Sequence, residues 1–490
     1  MPALTDDARA RREVAAVGAV AFAVAMWGLG ARSFWLDEAY TASTIDRSFP
    51  ALVELTFRDE GYQIFHQWML WPIAQVSTQE WWLRLPSAFA YVACVVTVGL
   101  VARRHLERRG AVLAAALVAA NGFAILLAQE ARSYPFAMVT AALAVGAFAD
   151  SRALSAQGPA AAGRARWRWC GWAVCTAWLH GFATLAAVAP IVVLIPLFRR
   201  APELRRHLVS VVAATAVGVA LPLWLPLAHT NVRNDYEFLP DLSVRTVRDV
   251  AFAFFGRSGL LAVVVALGVL AAATVSVRDR AARSRLAPFW CAAVLPGVAI
   301  GLASVSQPIL LDRYLAGSIP SAAILAAFGI RAIVQAWPRG TVIVAVLVVA
   351  ASAISVHKAL TRPALEDWRG ATAELAALAE PGDALLTSVD EELVALEYSR
   401  RTTSIDDIAV AWPVTEWGRF RTGDQGPTQL EPDDAAAAID ALADDPPRIW
   451  IVDAKRDDAE VDLIVAALDE YDESFVRQHN GIRLLLLTRR

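Results

Sequence analysis

The sequence predicts a polytopic α-helical membrane protein with a small α/β domain at its C-terminal end. Three observations make that prediction. Apolar runs of about 17 to 21 residues recur from Val14 to roughly His357, each long enough to cross a hydrocarbon core of about 30 Å. The 490-residue chain is 57% hydrophobic, with a mean hydropathy of +0.44, and soluble domains are usually less apolar. The charge is also divided. Residues 1–361 hold 32 Lys+Arg against 20 Asp+Glu, whereas residues 362–490 hold 13 against 28. A net charge of −3 therefore conceals a basic membrane part and an acidic tail, and the acidity argues against nucleic-acid binding.

The elements follow in order. Arg9, Arg11 and Arg12 precede the first apolar run, which ends in "MWGLGARSFW" without a small-x-small cleavage site, so it reads as an uncleaved first helix. Spans are predicted at 14–31, 85–102, 111–128, 135–149, 169–180, 181–198, 208–228, 259–277, 287–304, 314–334 and 340–357, about eleven in all. The fifth is short, and the pair around His180 also reads as re-entrant. Segments 1–13, 102–110, 150–168, 199–207, 278–286 and 331–340 hold 21 Arg, which sets them on the cytoplasmic side. An odd number of spans then puts residues 358–490 outside.

That topology collects "SFWLDEAYTA", "QEARSYPF", "WLHGF" and "QPILLDRYL" on one face. Charges at the ends of membrane helices are costly and usually line a cavity or meet a partner. The first outer loop, about residues 32–84, has apolar residues at helical spacing with Trp68, Trp71, Trp81 and Trp82. These suit helices lying in the membrane interface. A second outer excursion covers 229–258. In the tail, 366–380 reads as a helix, "ALLTS", "RIWIVDA" and "RLLLLT" as strands, and "DLIVAALDEY" as a helix. Residues 421–447 read as a mobile insertion. The domains expected are thus 1–361 and 362–490. Cys94, Cys170, Cys175 and Cys291 lie in or beside apolar runs and show neither a disulfide framework nor metal-ligand spacing.

Five motifs occur in a telling order: "WLDEA.TA", "WWLRLPSAF", "QEARSYPFAM", "DRYL" and "EDWRGA". Together they make the chain resemble the GT-C superfamily of membrane glycosyltransferases, and in particular its bacterial glycosyltransferase family 39-like group. These are kin to protein O-mannosyltransferases and to the aminoarabinose transferase of lipid A. The resemblance spans nearly the whole chain. Related chains often carry Asp-x-x-Pro-Pro-Leu-Tyr-Tyr in the first loop, where this one reads Asp59-Glu60-Gly61-Tyr62-Gln63-Ile64-Phe65-His66. The missing proline pair points to a different acceptor side. The resemblance implies a polyprenyl-phosphate sugar as donor, inversion by direct displacement, and a first-loop carboxylate as general base.

The residue types suit that chemistry. A sugar hydroxyl is a poor nucleophile at neutral pH, and a carboxylate positioned to take its proton contributes roughly 10²- to 10⁴-fold. Asp37 fits that role, with Glu38 orienting it, orienting the acceptor or binding a cation. The competing reading is that both merely cap and solvate a helix end. The departing phosphate needs cations, and Arg132 and Arg313 are candidates with Tyr314 as hydroxyl donor. Each Arg has an acidic neighbour, Glu130 or Asp312, that offers a purely structural pairing. Arg84 either serves the phosphate or braces the first loop, and His180 is either a phosphate or acceptor contact or a structural group. Asp59, Glu60 and His66 are the candidate acceptor contacts. No compact metal motif is present, which leaves a divalent cation possible but unassigned. Trp368, Trp412 and Trp417 read more readily as packing than as sugar-stacking groups.

The function expected is transfer of a monosaccharide, mannose or arabinose, from a polyprenyl phosphate to an extracytoplasmic glycan, lipid or protein in a bacterial plasma membrane. Three alternatives stay open: an aminosugar or oligosaccharide transferase to lipid on the same fold, a flippase or transporter of polyprenyl-linked glycans, and a scaffold subunit with a vestigial site. Transporters usually place charges near the bilayer midplane, whereas these gather at one face.

Overall fold

The computed structural model describes residues 2–58, 63–154, 158–195, 202–229, 239–401, 403, 405, 408–413, 429–442, 445–454 and 458–490. Among them, seven helices are long and apolar enough to cross a membrane: Glu80–His105, Tyr134–Ala153, Arg205–Trp224, Gly259–Arg278, Arg280–Ala303, Asp312–Ala336 and Pro338–Leu360. Arg108–Ala119 and Gly122–Ala128 make an eighth if counted as one span bent by 61°. The break falls at Asn121, whose side chain caps the second piece by accepting from the Ala124 amide at 2.9 Å.

The predicted count of eleven is not reached by this measure, and the three missing runs show why. The first helix, Pro2–Met26, carries Arg9, Arg11, Arg12 and Glu13 in its first half and stops before residue 31. Pro159–Leu179 is helical throughout but contains Arg164, Arg166 and Arg168. Among the described residues, the run after His180 is helical from Thr184 to Val188, then tightens into a 3₁₀ segment, Ala189–Leu194. These two segments together cover on the order of 20 Å, short of a bilayer core.

The chain divides into two compact units. The first comprises Met1–Leu29, Thr56–His66 and Arg84–Arg362. Its core is rich in alanine, and small residues let backbones meet. Gly329 is the extreme case, because a Cβ there would lie 1.7 Å from the Gly268 carbonyl oxygen.

The second unit comprises Gly30–Leu55, Gln67–Leu83 and Pro363–Arg490. Its centre is a five-stranded sheet of β1 (Ala384–Thr387), β2 (Ala409–Trp412), β3 (Arg448–Asp453), β4 (Tyr471–His479) and β5 (Ile482–Arg489). The order is β2-β1-β3-β5-β4, with β2, β1 and β3 parallel and β5 and β4 antiparallel. Alternate residues of β1, β3 and β5 feed two cores, as a strand's two-residue period requires. Leu385, Trp450, Val452, Leu484 and Leu486 face Trp368, Leu375, Leu393 and, from the first outer loop, Leu36 and Ala39. Leu386, Ile449, Ile451, Leu485 and Leu487 face Ala435, Ile439, Val461 and Ile464.

The three strands and the helix after "EDW" sit where the sequence predicts, the helix as Trp368–Leu378. Four elements of the tail are absent from the sequence reading: β2, the charged edge strand β4, and the helices Glu392–Ser399 and Pro432–Asp440. Residues 421–447 are not simply an insertion. Pro432–Asp440 is a helix with Ala435, Ala438 and Ile439 buried, while 421–428 and 443–444 lie outside the described residues. The segment 229–258, which the sequence predicts as a second outer excursion, holds the helix Val244–Phe254, and 230–238 also lie outside the described residues.

Candidate functional site

In the first unit, three of the quoted motifs converge on His180. Tyr134, from "QEARSY", lies 5.1 Å ring to ring from it, and Tyr314, from "LDRYL", lies 6.1 Å from it. Arg132 and Arg313 are close enough for their charges to act on its imidazole. Local hydrogen bonds fix the ring. The His180 amide donates to the Thr176 carbonyl at 2.8 Å, and its Nδ1 accepts from the Ala183 amide at 3.3 Å. Tyr314 stacks on Phe182 at 4.0 Å, while the Ser87 hydroxyl donates to the Arg132 carbonyl at 3.0 Å. Two guanidinium groups, an imidazole and two phenols thus come from segments up to 182 residues apart.

His66 joins this group. It is fully buried beside Phe136, and Arg132 acts on its charge. Burial first and Arg132 second push its imidazole down to about 3, so it is neutral at physiological pH. Neither ring nitrogen has a hydrogen-bond partner among the described residues. Asp59 and Glu60 lie outside the described residues. Arg84 is buried and donates to the Leu29 carbonyl at 3.0 Å, a contact that braces the end of the first helix.

Asp37 and Glu38 belong to the second unit, in the first turn of the helix Leu36–Ile45. Carboxylates suit that position because the free amides of a helix start favour negative charge. The residue before the helix, Trp35, supplies no side-chain cap. Instead the Leu36 amide donates to Glu366 at 2.7 Å, and the same oxygen accepts from Trp368 Nε1 at 2.6 Å. The Phe34 amide donates to Glu80 at 3.3 Å, Arg369 pairs with Glu80, and the Arg369 amide donates to the Ser33 hydroxyl at 3.1 Å. The motifs "SFWLDEA" and "EDWRGA" therefore form one structure. Roles for Glu366, Arg369 and Glu80 are not legible in sequence, although the "EDWRGA" motif was the available signal. Trp368 and Trp412 are buried in the two cores, and Trp417 lies outside the described residues.

Among the described residues, no three His, Cys, Asp or Glu side chains are arranged to hold a metal ion. The cationic cluster around His180 can hold a phosphate, and a carboxylate at a capped helix start can accept a proton.

No family model matches the chain, and no curated protein matches its sequence. Its fold is nevertheless shared with proteins of solved structure. It is similar to ArnT from Cupriavidus metallidurans, with a TM-score of 0.58 at 14% identity over 97% of both chains. The oligosaccharyltransferase AglB from Archaeoglobus fulgidus aligns with a TM-score of 0.54 at 12% identity, over 96% of this chain and 74% of that one. Arabinofuranosyltransferase AftD from Mycobacteria aligns with a TM-score of 0.52 at 15% identity, over 98% of this chain and 40% of AftD. These likenesses show that the chain shares the overall fold of these proteins, and seven of its helices, or eight with the bent pair, are long and apolar enough to cross a membrane.

Proposed function

We propose that the protein is a membrane glycosyltransferase that moves a monosaccharide from a polyprenyl phosphate to an extracytoplasmic acceptor with inversion. The observation that carries this reading is the convergence of Arg132, His180, Arg313 and Tyr314 in one cluster. In the reaction, an acceptor hydroxyl attacks the anomeric carbon, and the bond from that carbon to the phosphate oxygen breaks. The polyprenyl phosphate leaves with the bonding electrons, against Arg132 and Arg313. Asp37 takes the hydroxyl proton, and Glu38 orients Asp37. Preorganised cations of this kind stabilise charge as it develops on a leaving group.

Two further observations support the reading. ArnT, with the same fold, has been solved bound to undecaprenyl phosphate, and AglB with a dolichol-phosphate. We assign the sugar to mannose or arabinose, the Arg-rich loops to the cytoplasm, and the site with residues 362–490 to the outer face of a bacterial plasma membrane.

The test incubates purified protein with a panel of radiolabelled polyprenyl-phosphate sugars. One label should leave its lipid. Asp37→Asn should lower that transfer by about 10²-fold or more while polyprenyl phosphate still binds. Full transfer by Asp37→Asn, or no release from any donor, overturns the proposal.

A further inference from the structure

Near the His180 cluster in sequence, yet sharing no residue with it, the first unit contains a cavity of about 190 Å³. Three cations line it, Arg257, Lys358 and Arg362, and Leu126, Phe252 and Ala359 give it an apolar floor. With water taking about 30 Å³, the space holds a phosphate ester and a few carbons.

The first cation is built in. Arg257 has φ 54, the only positive value of a non-glycine residue among those described. Such conformations persist only where the surroundings enforce them. Here the Arg257 amide donates to the Phe252 carbonyl at 2.9 Å. The Ser355 hydroxyl donates to the Gly256 carbonyl at 3.0 Å while accepting from the Gly122 amide at 3.0 Å. Asn121 adds a bond to the Phe254 carbonyl at 3.0 Å. Gly122 is required at this contact, since a Cβ would meet the Gly256 oxygen at 2.7 Å. The guanidinium pairs with Asp312 and lies 5.0 Å from the Phe123 ring centre.

The other two cations are not neutralised in this way. Among the described residues, the side chains of Lys358 and Arg362 make no hydrogen bond or ion pair. Burial, then the like charge of Arg257, hold Arg362 below its ordinary range, with Asp312 and Glu130 acting in the opposite sense. Three cations thus line a cavity with room for an anion, and of these Arg257 alone is held in an ion pair, with Asp312. We infer that this cavity binds the phosphate ester of an anionic lipid other than the sugar donor. The inference rests on the proposed function in one respect, that the single donor phosphate is held by Arg132 and Arg313. The apolar floor selects an amphiphile over a free ion.

The test uses the full chain in phosphatidylcholine nanodiscs, titrated with phosphatidic acid, undecaprenyl phosphate or inorganic phosphate. Replacing Lys358→Ala and Arg362→Ala together should weaken phosphatidic acid binding about tenfold or more, because two charge-assisted bonds are lost. It should leave undecaprenyl phosphate binding unchanged, and Lys358→Arg should retain phosphatidic acid. Arg132→Ala should give the reverse pattern. If the double variant weakens both lipids alike, the cavity belongs to the donor and the inference falls. It falls as well if wild type and double variant bind phosphatidic acid equally, or if inorganic phosphate competes at equal concentration. Undecaprenyl phosphate binding unaffected by Arg132→Ala would instead overturn the donor assignment, and the phosphatidic acid result would still be readable.

Discussion

Two buried carboxyl groups of the sheet unit are held in opposite states by their neighbours. Asp383, fully buried, receives Arg448 through two bonds of 2.8 and 2.7 Å, Trp450 Nε1 at 2.9 Å and the Glu380 amide at 3.0 Å. Burial works against its charge, but these donors prevail and hold it below the usual carboxylate range. Glu392 is as deeply buried and faces Asp453, with the Ser388 hydroxyl between them at 3.1 Å from Glu392 and 2.6 Å from Asp453. Burial, then the charge of Asp453, push Glu392 from 4.5 up to about 8, although the Ala454 and Val389 amides oppose that rise. The folded state keeps a proton that the unfolded chain gives up. Its stabilisation is therefore complete below about pH 4.5, declines as pH rises, and is gone above about pH 8. Asp383 acts in the other direction, but below the ordinary range, so between about pH 5 and pH 9 it contributes a constant. Thermal unfolding of the full chain, followed by tryptophan fluorescence, should show a midpoint that falls across that interval. Asp453→Asn should flatten the fall, and a slope unchanged in that variant contradicts the assignment.

At the scale of an element, the helix Leu36–Ile45 owes its start to residues more than three hundred positions away. The unsatisfied amides at a helix start need acceptors, and with no side-chain cap from Trp35 the Leu36 amide uses Glu366. On the mechanism proposed above, Glu366 is thus a positioning residue for Asp37, one position along. Glu366→Ala should lower kcat by about 10- to 100-fold, the range of a lost bond to a charged acceptor. The donor KM should move little, because the proposal gives the donor phosphate to Arg132 and Arg313, which are untouched. Glu366→Gln keeps an oxygen able to accept from both Leu36 and Trp368 and should restore most of kcat. A loss in KM instead, or no rescue by Gln, assigns Glu366 to a general structural role. The sequence singles out both motifs and both carboxylates of the helix. It carries no sign of this cap, because no local window contains both partners.

For the whole molecule, the charge asymmetry of the loops predicts a topology with the Arg-rich segments in the cytoplasm. The prediction concerns two positions in a chain whose four cysteines have been replaced. Glu473→Cys, on the exposed edge strand, should react with a membrane-impermeant maleimide in intact cells. Ser284→Cys, exposed near the start of the helix Arg280–Ala303 and within the Arg-rich segment 278–286, should react only after permeabilisation. The opposite pattern removes the outer-face placement.

Sequence alone determines the long membrane helices, the basic–acidic division, strands β1, β3 and β5, and the helix after "EDW". Each is a property of a contiguous window, whether an apolar length, a repeat period or a charge count. It also marks Arg132, His180 and Arg313 as chemically able groups without stating that they meet. Only the tertiary structure decides that residues 30–55 and 67–83 fold with 363–490, and that Glu366 completes the helix bearing Asp37. The same holds for Arg257, Lys358 and Arg362, which line one cavity. The physical reason is that such contacts join segments a hundred residues or more apart, through single hydrogen bonds and charges that leave no periodic trace along the chain.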